Sequence, residues 1–295
     1  MPNPILPGYY ADPDIAYFNG KFYLYPTTDG TNWSPTSFHA FSSTDLVNWK
    51  DEGVILDFAD IPWTEGKNAW APSVGEKNGK YYLYYTANTE YIGVAVGDSP
   101  VGPFVDIGKP LLTYKQYGGR SIDPYFFRDD DGQAYLYWGN KRMHAVKLAD
   151  DMITFDGEVV DITPPWYNEA TCVFKRKGIY YFTWSVNDAR SPDYQVRWAK
   201  SDGPMSPPRG DHLLLSKDTA ADSRIKATGH HAVINVPGTD DWYIFYHRFC
   251  AARFGNVNGP CTEAGMHREV CIDKLCFDED GNLLRVIPTM EGVSL

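Results

Sequence analysis

Asp12, Asp123, Glu169 and His230 stand at corresponding places in an internal repeat, and acids brought together in this way can move protons. Cleaving a glycosidic bond takes two carboxyl groups. One stays protonated near neutral pH and donates to the leaving oxygen; the other, ionised, activates water or attacks carbon. A third acid nearby raises its neighbour's pKa and keeps the donor loaded. No cofactor is required for that chemistry. Taken singly, Asp12-Pro13 and Asp123-Pro124 are ordinary turn or strand-start dipeptides. Their shared place in a repeat is what favours a functional reading.

The repeat consists of Asn19-Gly20-Lys21-Phe22-Tyr23-Leu24-Tyr25 and similar segments at 78–84, 131–137, 177–183 and 240–246. Their second positions are 20, 79, 132, 178 and 241, so they lie 46 to 63 residues apart, near the period of propeller blades. Asn-Gly opens two copies and favours a type I′ turn, so each copy reads as the turn and second strand of a hairpin. The partner strands fall at 12–18, 71–76, 123–127, 169–175 and 230–235. Their first residues are Asp12, Ala71, Asp123, Glu169 and His230. Two outer strands follow each hairpin: 38–42 and 54–56 in the first unit, 92–96 and 111–112 in the second, 269–277 and 283–287 in the fifth. The pattern predicts an all-β fold, a five-bladed β-propeller of four-stranded antiparallel blades, as one catalytic domain over residues 1–295. A β-sandwich or barrel with accidental likeness among aromatic strands is the alternative.

Composition agrees with short strands and many turns: 15% of residues are aromatic, with 26 Gly and 21 Pro. The net charge of −11 disfavours nucleic acid and acidic membranes as partners and is compatible with a neutral carbohydrate. No apolar run is long enough to span a bilayer. The N-terminal residues lack the pattern of a signal peptide, which implies a cytoplasmic protein or a secreted one whose leader is absent from this sequence. Of the five cysteines, Cys250 and Cys261 flank a loop and could bridge; free, mostly buried thiols are the plainer expectation.

Several segments, in order along the chain, resemble glycoside hydrolase family 43. They are Asn3-Pro4-Ile5-Leu6-Pro7-Gly8 leading into Ala11-Asp12-Pro13-Asp14-Ile15, Trp70-Ala71-Pro72-Ser73-Val74, Ser121-Ile122-Asp123-Pro124, Glu169 ahead of Phe174-Lys175-Arg176, Thr228-Gly229-His230, and Tyr246-His247-Arg248-Phe249. The resemblance covers essentially the whole chain and implies a propeller glycosidase acting with inversion on arabinose- and xylose-containing polysaccharides. Carried over residue by residue, it implies Asp12 as general base, Asp123 as the acid that tunes and orients, and Glu169 as general acid. Arg248 would hold substrate hydroxyls. His230 would sit on the axis and help hold a calcium or other cation, through water. Asp14 rivals Asp12 on the same strand face, His231 rivals His230, and Ala170-Thr171 follows Glu169 where many members carry Gly-Pro.

Trp70 replaces an acid at the head of the second inner strand and is expected to stack on a sugar; packing against the channel wall is the simpler reading. Trp33, Trp63 and Trp166 could form a rim, and Cys172 should face the core. The expected activity is exo-hydrolysis of terminal α-L-arabinofuranosyl residues from plant cell-wall arabinan or arabinoxylan. The lack of a further segment after Leu295 favours this over β-xylosidase. Endo-arabinanase, a retaining fructan-type propeller and a non-enzymatic sugar-binding propeller are the other readings.

Overall fold

Turns with positive φ set the strands. Asn19-Gly20, Asn78-Gly79 and Lys177-Gly178 all take positive φ at both central positions, the type I′ geometry whose twist matches the strands it joins. The computed structural model describes residues 2–293. Blade one is β1 (Tyr10–Phe18), β2 (Lys21–Thr28), β3 (Ser37–Ser43) and β4 (Lys50–Asp57). Blade two is β5 (Trp70–Lys77), β6 (Lys80–Ala87), β7 (Tyr91–Gly97) and β8 (Val105–Asp106). Blade three is β9 (Tyr125–Arg128), β10 (Ala134–Trp138), β11 (His144–Lys147) and β12 (Val160–Asp161). Blade four is β13 (Glu169–Arg176), β14 (Ile179–Val186), β15 (Gln195–Ser201) and β16 (Arg209–Leu215). Blade five is β17 (Gly229–Asn235), β18 (Trp242–Phe249) and β19 (Arg268–Leu275).

Every sheet is antiparallel, and the inner strands close a ring in which β1 packs on β5, β5 on β9, β9 on β13, β13 on β17 and β17 on β1. This is the expected five-bladed propeller, with two changes at its outer edges. The fourth strand of blade two is Val105–Asp106 rather than 111–112; Leu112 makes only an isolated bridge to Ile92. In blade five, 283–287 is not a strand, and Leu283 makes a single bridge to Phe277. The outer edge of β19 is instead covered by the N-terminal segment. Ile5 N–H donates to Val270 O at 2.9 Å, while the Asn3 side chain accepts from Ile272 N–H at 2.9 Å and donates to Ile272 O at 3.1 Å.

Buried tyrosines at the ends of the repeat copies link one blade to the next. Tyr25 donates to Pro100 O, Tyr84 to Met152 O and Tyr137 to Pro204 O, all at 2.7–2.8 Å. A Phe there would leave a buried carbonyl unpaired, which explains the polar tip on an apolar body. All five cysteines are free thiols. No helix among the described residues is long and apolar enough to cross a membrane.

Arg248, expected to hold substrate, belongs to the closure of the ring. It is fully buried, donating through Nε to Glu269 at 2.8 Å, through Nη1 to Thr289 O at 3.1 Å and through Nη2 to Asn3 O at 3.3 Å. Its guanidinium thus ties the N-terminal segment, the last blade and the C-terminal segment. Removing one partner of a buried pair strands the other charge, so Arg248→Met is expected to cost about 3–5 kcal/mol. The measurement is the urea midpoint. A cost below about 1 kcal/mol, typical of exposed pairs, would refute this role.

Candidate active site

The head of each inner strand bears one non-glycine residue with positive φ: Asp12 (48°), Ala71 (42°), Asp123 (55°), Ala170 (59°) and His230 (39°). Such residues are uncommon and persist where the surroundings over-determine them. In four inner strands the register also slips here, as in a β-bulge, between Ala11 and Asp14, Trp70 and Ser73, Glu169 and Cys172, and Gly229 and His231. The neighbouring blade accepts the turned-out amide. Ala71 N–H donates to Thr27 Oγ1 (2.7 Å), Asp123 N–H to Thr86 Oγ1 (3.0 Å), His230 N–H to Ser185 Oγ (3.0 Å) and Asp12 N–H to His247 Nδ1 (3.2 Å).

This ring corrects the repeat alignment. The residue equivalent to Asp12, Asp123 and His230 is Ala170, and Glu169 lies one position earlier, level with Trp70. Asp12 and Glu169 therefore occupy neighbouring positions of equivalent bulges, Asp123 precedes the regular pairing of β9, and all three still reach one cavity. That cavity, of about 350 Å3, takes wall residues from every blade: Asp12, Trp70, Asp123, Glu169 and His230 beside Trp33, Asn140 and Arg268.

Asp12 lies in a nest of cations. Its Oδ1 accepts from Arg268 Nη1 at 2.9 Å and lies 3.1 Å from His230 Nδ1. Burial alone would raise its pKa, but Arg268 and His230 outweigh burial and hold the carboxyl well below its usual range. The same imidazole is 3.9 Å from Asp123 Oδ2. Burial opposes its charge, yet Asp12 and Asp123 push its pKa up to about 9, so it is an imidazolium at neutral pH. His247, pulled down to about 3 by burial and then by Arg268, is neutral and accepts the Asp12 amide.

Glu169 has different surroundings. Oε1 accepts from the Tyr194 hydroxyl at 3.0 Å and Oε2 from Asn140 Nδ2 at 2.9 Å. Burial, reinforced by the charge of Asp12, raises its pKa against the pull of His230 and Tyr194. Asp123 is raised as well, by burial first and then by Glu169 and Asp12. One carboxylate kept ionised and one carboxyl kept protonated, facing one cavity, can divide the roles of base and acid.

Asp14 does not line the cavity. The bulge turns it towards blade two, where its Oδ2 accepts Val74 N–H at 2.8 Å. His231 faces away too, against Thr183 Oγ1 at 2.5 Å. Cys172 is fully buried, with its Sγ 3.4 Å from the Tyr125 hydroxyl. Trp70 lines the cavity edge-on to Trp33 at 6.3 Å, and its Nε1 donates to Trp33 O at 2.9 Å. Trp63 is packed behind, against Tyr85. Arg248 does not reach the cavity; Arg120, Arg190 and Arg268 do, and of these Arg268 meets Asp12.

Arg268 donates to Asp29 Oδ2 from both N and Nε at 2.9 Å, and the ring of Trp33 covers its guanidinium at 4.9 Å. Neither Arg268 nor Asp29 carried a repeat signal; both sit in loops or strand ends that only the closed ring brings to Asp12. The donors present do not fit a directly ligated cation. Among the described residues no three His, Cys, Asp or Glu side chains converge as a metal-binding group, and His230 directs Nδ1 at Asp12.

Two tests follow from these environments. Arg268→Met removes the principal cation beside Asp12, so the acid limb of the kcat/KM profile is expected to move to higher pH; an unmoved limb would contradict that role. Burial pushes Asp14 up to about 7, so its carboxyl favours folding most below pH 4, and that benefit fades as pH rises towards 7. Asp14→Asn keeps an acceptor for Val74 and escapes this loss. Denaturation at both pH values should show the variant gaining on wild type by on the order of 4 kcal/mol.

A sequence model described as glycosyl hydrolases family 43 matches residues 1–283. The chain is 37% identical to the β-D-galactofuranosidase xynD of Aspergillus niger, over 99% of this chain and 86% of that protein. It is 31% identical to the arabinoxylan arabinofuranohydrolase of Bacillus subtilis, over 96% of this chain and 63% of that protein. Among solved structures, the GH43_1 enzyme from Xanthomonas citri complexed with xylose superposes with a TM-score of 0.81 at 25% identity, covering 98% of this chain and 93% of that one. The chain belongs to glycosyl hydrolases family 43 and is a glycosidase.

Proposed function

We propose that this glycosidase removes terminal α-L-arabinofuranosyl residues from arabinan or arabinoxylan side chains, with inversion at the anomeric carbon. The observation that carries the reading is the division of ionisation across one small cavity: Asp12 paired with Arg268 and His230, and Glu169 buried between Tyr194 and Asn140. Asp12 takes the proton of a water attacking the anomeric carbon. Glu169 gives its proton to the leaving oxygen. Asp123, reached by His230 and coupled electrostatically to Glu169, helps keep that proton in place. These proton transfers need no cofactor. A cavity of about 350 Å3, at the small end for ligand sites, suits one terminal sugar better than the middle of a chain.

A furanose is favoured because the relatives at 37% and 31% identity are named for furanosides. Release of β-D-galactofuranose is the second reading, supported by the 37% relative. The two sugars share ring stereochemistry and differ in the length of the exocyclic arm. A panel of aryl α-L-arabinofuranoside, β-D-galactofuranoside and β-D-xylopyranoside decides between them; fastest turnover of the xylopyranoside would reject both furanoside readings.

Asp12→Asn and Glu169→Gln should each lower kcat/KM on an oligosaccharide by about 10²–10⁴. An aryl glycoside with a good leaving group needs less protonation, so it should restore much of the loss in Glu169→Gln and little in Asp12→Asn. Proton NMR during turnover is expected to show the inverted anomer first; a retained anomer would require carboxyls about 5–5.5 Å apart and a covalent intermediate.

A further inference from the structure

Trp166 is the most exposed large apolar side chain among the described residues, at 74%, and its backbone is left-handed at φ +60°. Folding gains little from an indole left in water, and a non-glycine residue at positive φ carries strain. The flanking residues are firmly held. Tyr167 is buried, with its hydroxyl on Gly139 O at 2.8 Å, and Asn168 N–H donates to Ser185 O at 3.0 Å. The indole is thus presented to solvent from a fixed base, three residues before Glu169 and no more than about 11 Å from it along the chain.

The surroundings have the same character. Four large aromatic side chains are exposed among the described residues: Tyr17, Tyr114, Tyr117 and Trp166. Tyr17 lies near the end of β1, away from the cavity. The other three ride on two loops that meet the turn at 139–142, where Asn140 bridges Arg120 and Lys141 N–H donates to Asn168 O at 2.7 Å. Lys141 lines the cavity on that side.

We propose that Trp166 is the platform for the part of the substrate that leaves: a linear chain of pyranose units laid face-down on the indole, with Lys141 meeting its hydroxyls. The inference rests on Glu169 as the general acid. A group that protonates the leaving oxygen marks the side of the cavity on which the departing chain begins, and Trp166 stands on that side. The apolar C–H face of a pyranose matches an indole face, and rigid aromatic anchors dominate recognition of this kind.

The test compares wild type with Trp166→Ala and Trp166→Phe. The first readout is the ratio of kcat/KM on an arabinofuranosyl-substituted xylo-oligosaccharide to kcat/KM on the aryl arabinofuranoside, which has no chain to seat. That ratio should fall about tenfold in Trp166→Ala and stay within about threefold in Trp166→Phe; an unchanged ratio in Trp166→Ala overturns the proposal. The second readout is calorimetric binding of unsubstituted xylohexaose, which needs no turnover. Its Kd should weaken about tenfold in Trp166→Ala, and equal binding, or none by wild type, overturns the platform. If wild type turned over no glycoside, the proposed function would fail on its own account, and xylohexaose binding would still decide the platform.

Discussion

The residue with positive φ at the head of each inner strand is the constraint on which the site depends. A regular strand would alternate its side chains and keep every amide within its own sheet. Turning one residue left-handed frees its N–H, and the adjacent blade accepts it through Thr27, Thr86, Ser185 or His247. Blade packing and site geometry are therefore one interaction. The left-handed turn that lets blades join at the axis also aims Asp12, Asp123 and His230 at a common space, and in blade one it sends Asp14 to a structural contact with Val74.

The same burial acts on all three acids, and what differs is the company each keeps. Asp12 sits within hydrogen-bonding distance of a guanidinium and an imidazolium, and these overcome its desolvation. Glu169 receives only neutral donors, Tyr194 and Asn140, so desolvation prevails. Asp29 belongs to this balance although it lies outside the cavity wall. By gripping Arg268 at two nitrogens it fixes where the positive charge points.

Much of the architecture was legible in the sequence because its signals are local. Asn-Gly turns, aromatic strands and a repeating length announce hairpins of a propeller, and the acids upstream of Phe22-Tyr23 and its counterparts mark the axis. The failures were all matters of register or closure. A bulge does not appear in spacing, which sets Glu169 level with Asp12 although Ala170 is its equivalent. Finding Arg268 in place of Arg248 needs the pairing of β18 with β19. That pairing sets Arg248 opposite Glu269 and puts Arg268 at the strand end nearest the cavity. The short fourth strand of blade two and the borrowed edge of blade five depend on loops with no repeat to compare.

Gly139 breaks the pattern of the ring. It occupies the place held elsewhere by Thr27, Thr86, Ser185 and His247, pairs with Ile122 through its own N–H, and has no side chain to offer blade four. At its cavity end the junction of blades three and four is held instead by Asn140 and Asn168, with Tyr167 over the Gly139 carbonyl. Each of these contacts comes from a connecting segment. That junction is therefore the sector of the wheel where insertions or shortened loops could remodel the entrance while the opposite sector, with Asp12 and its counter-ions, stays untouched. Divergence in what such a scaffold accepts would accumulate there first.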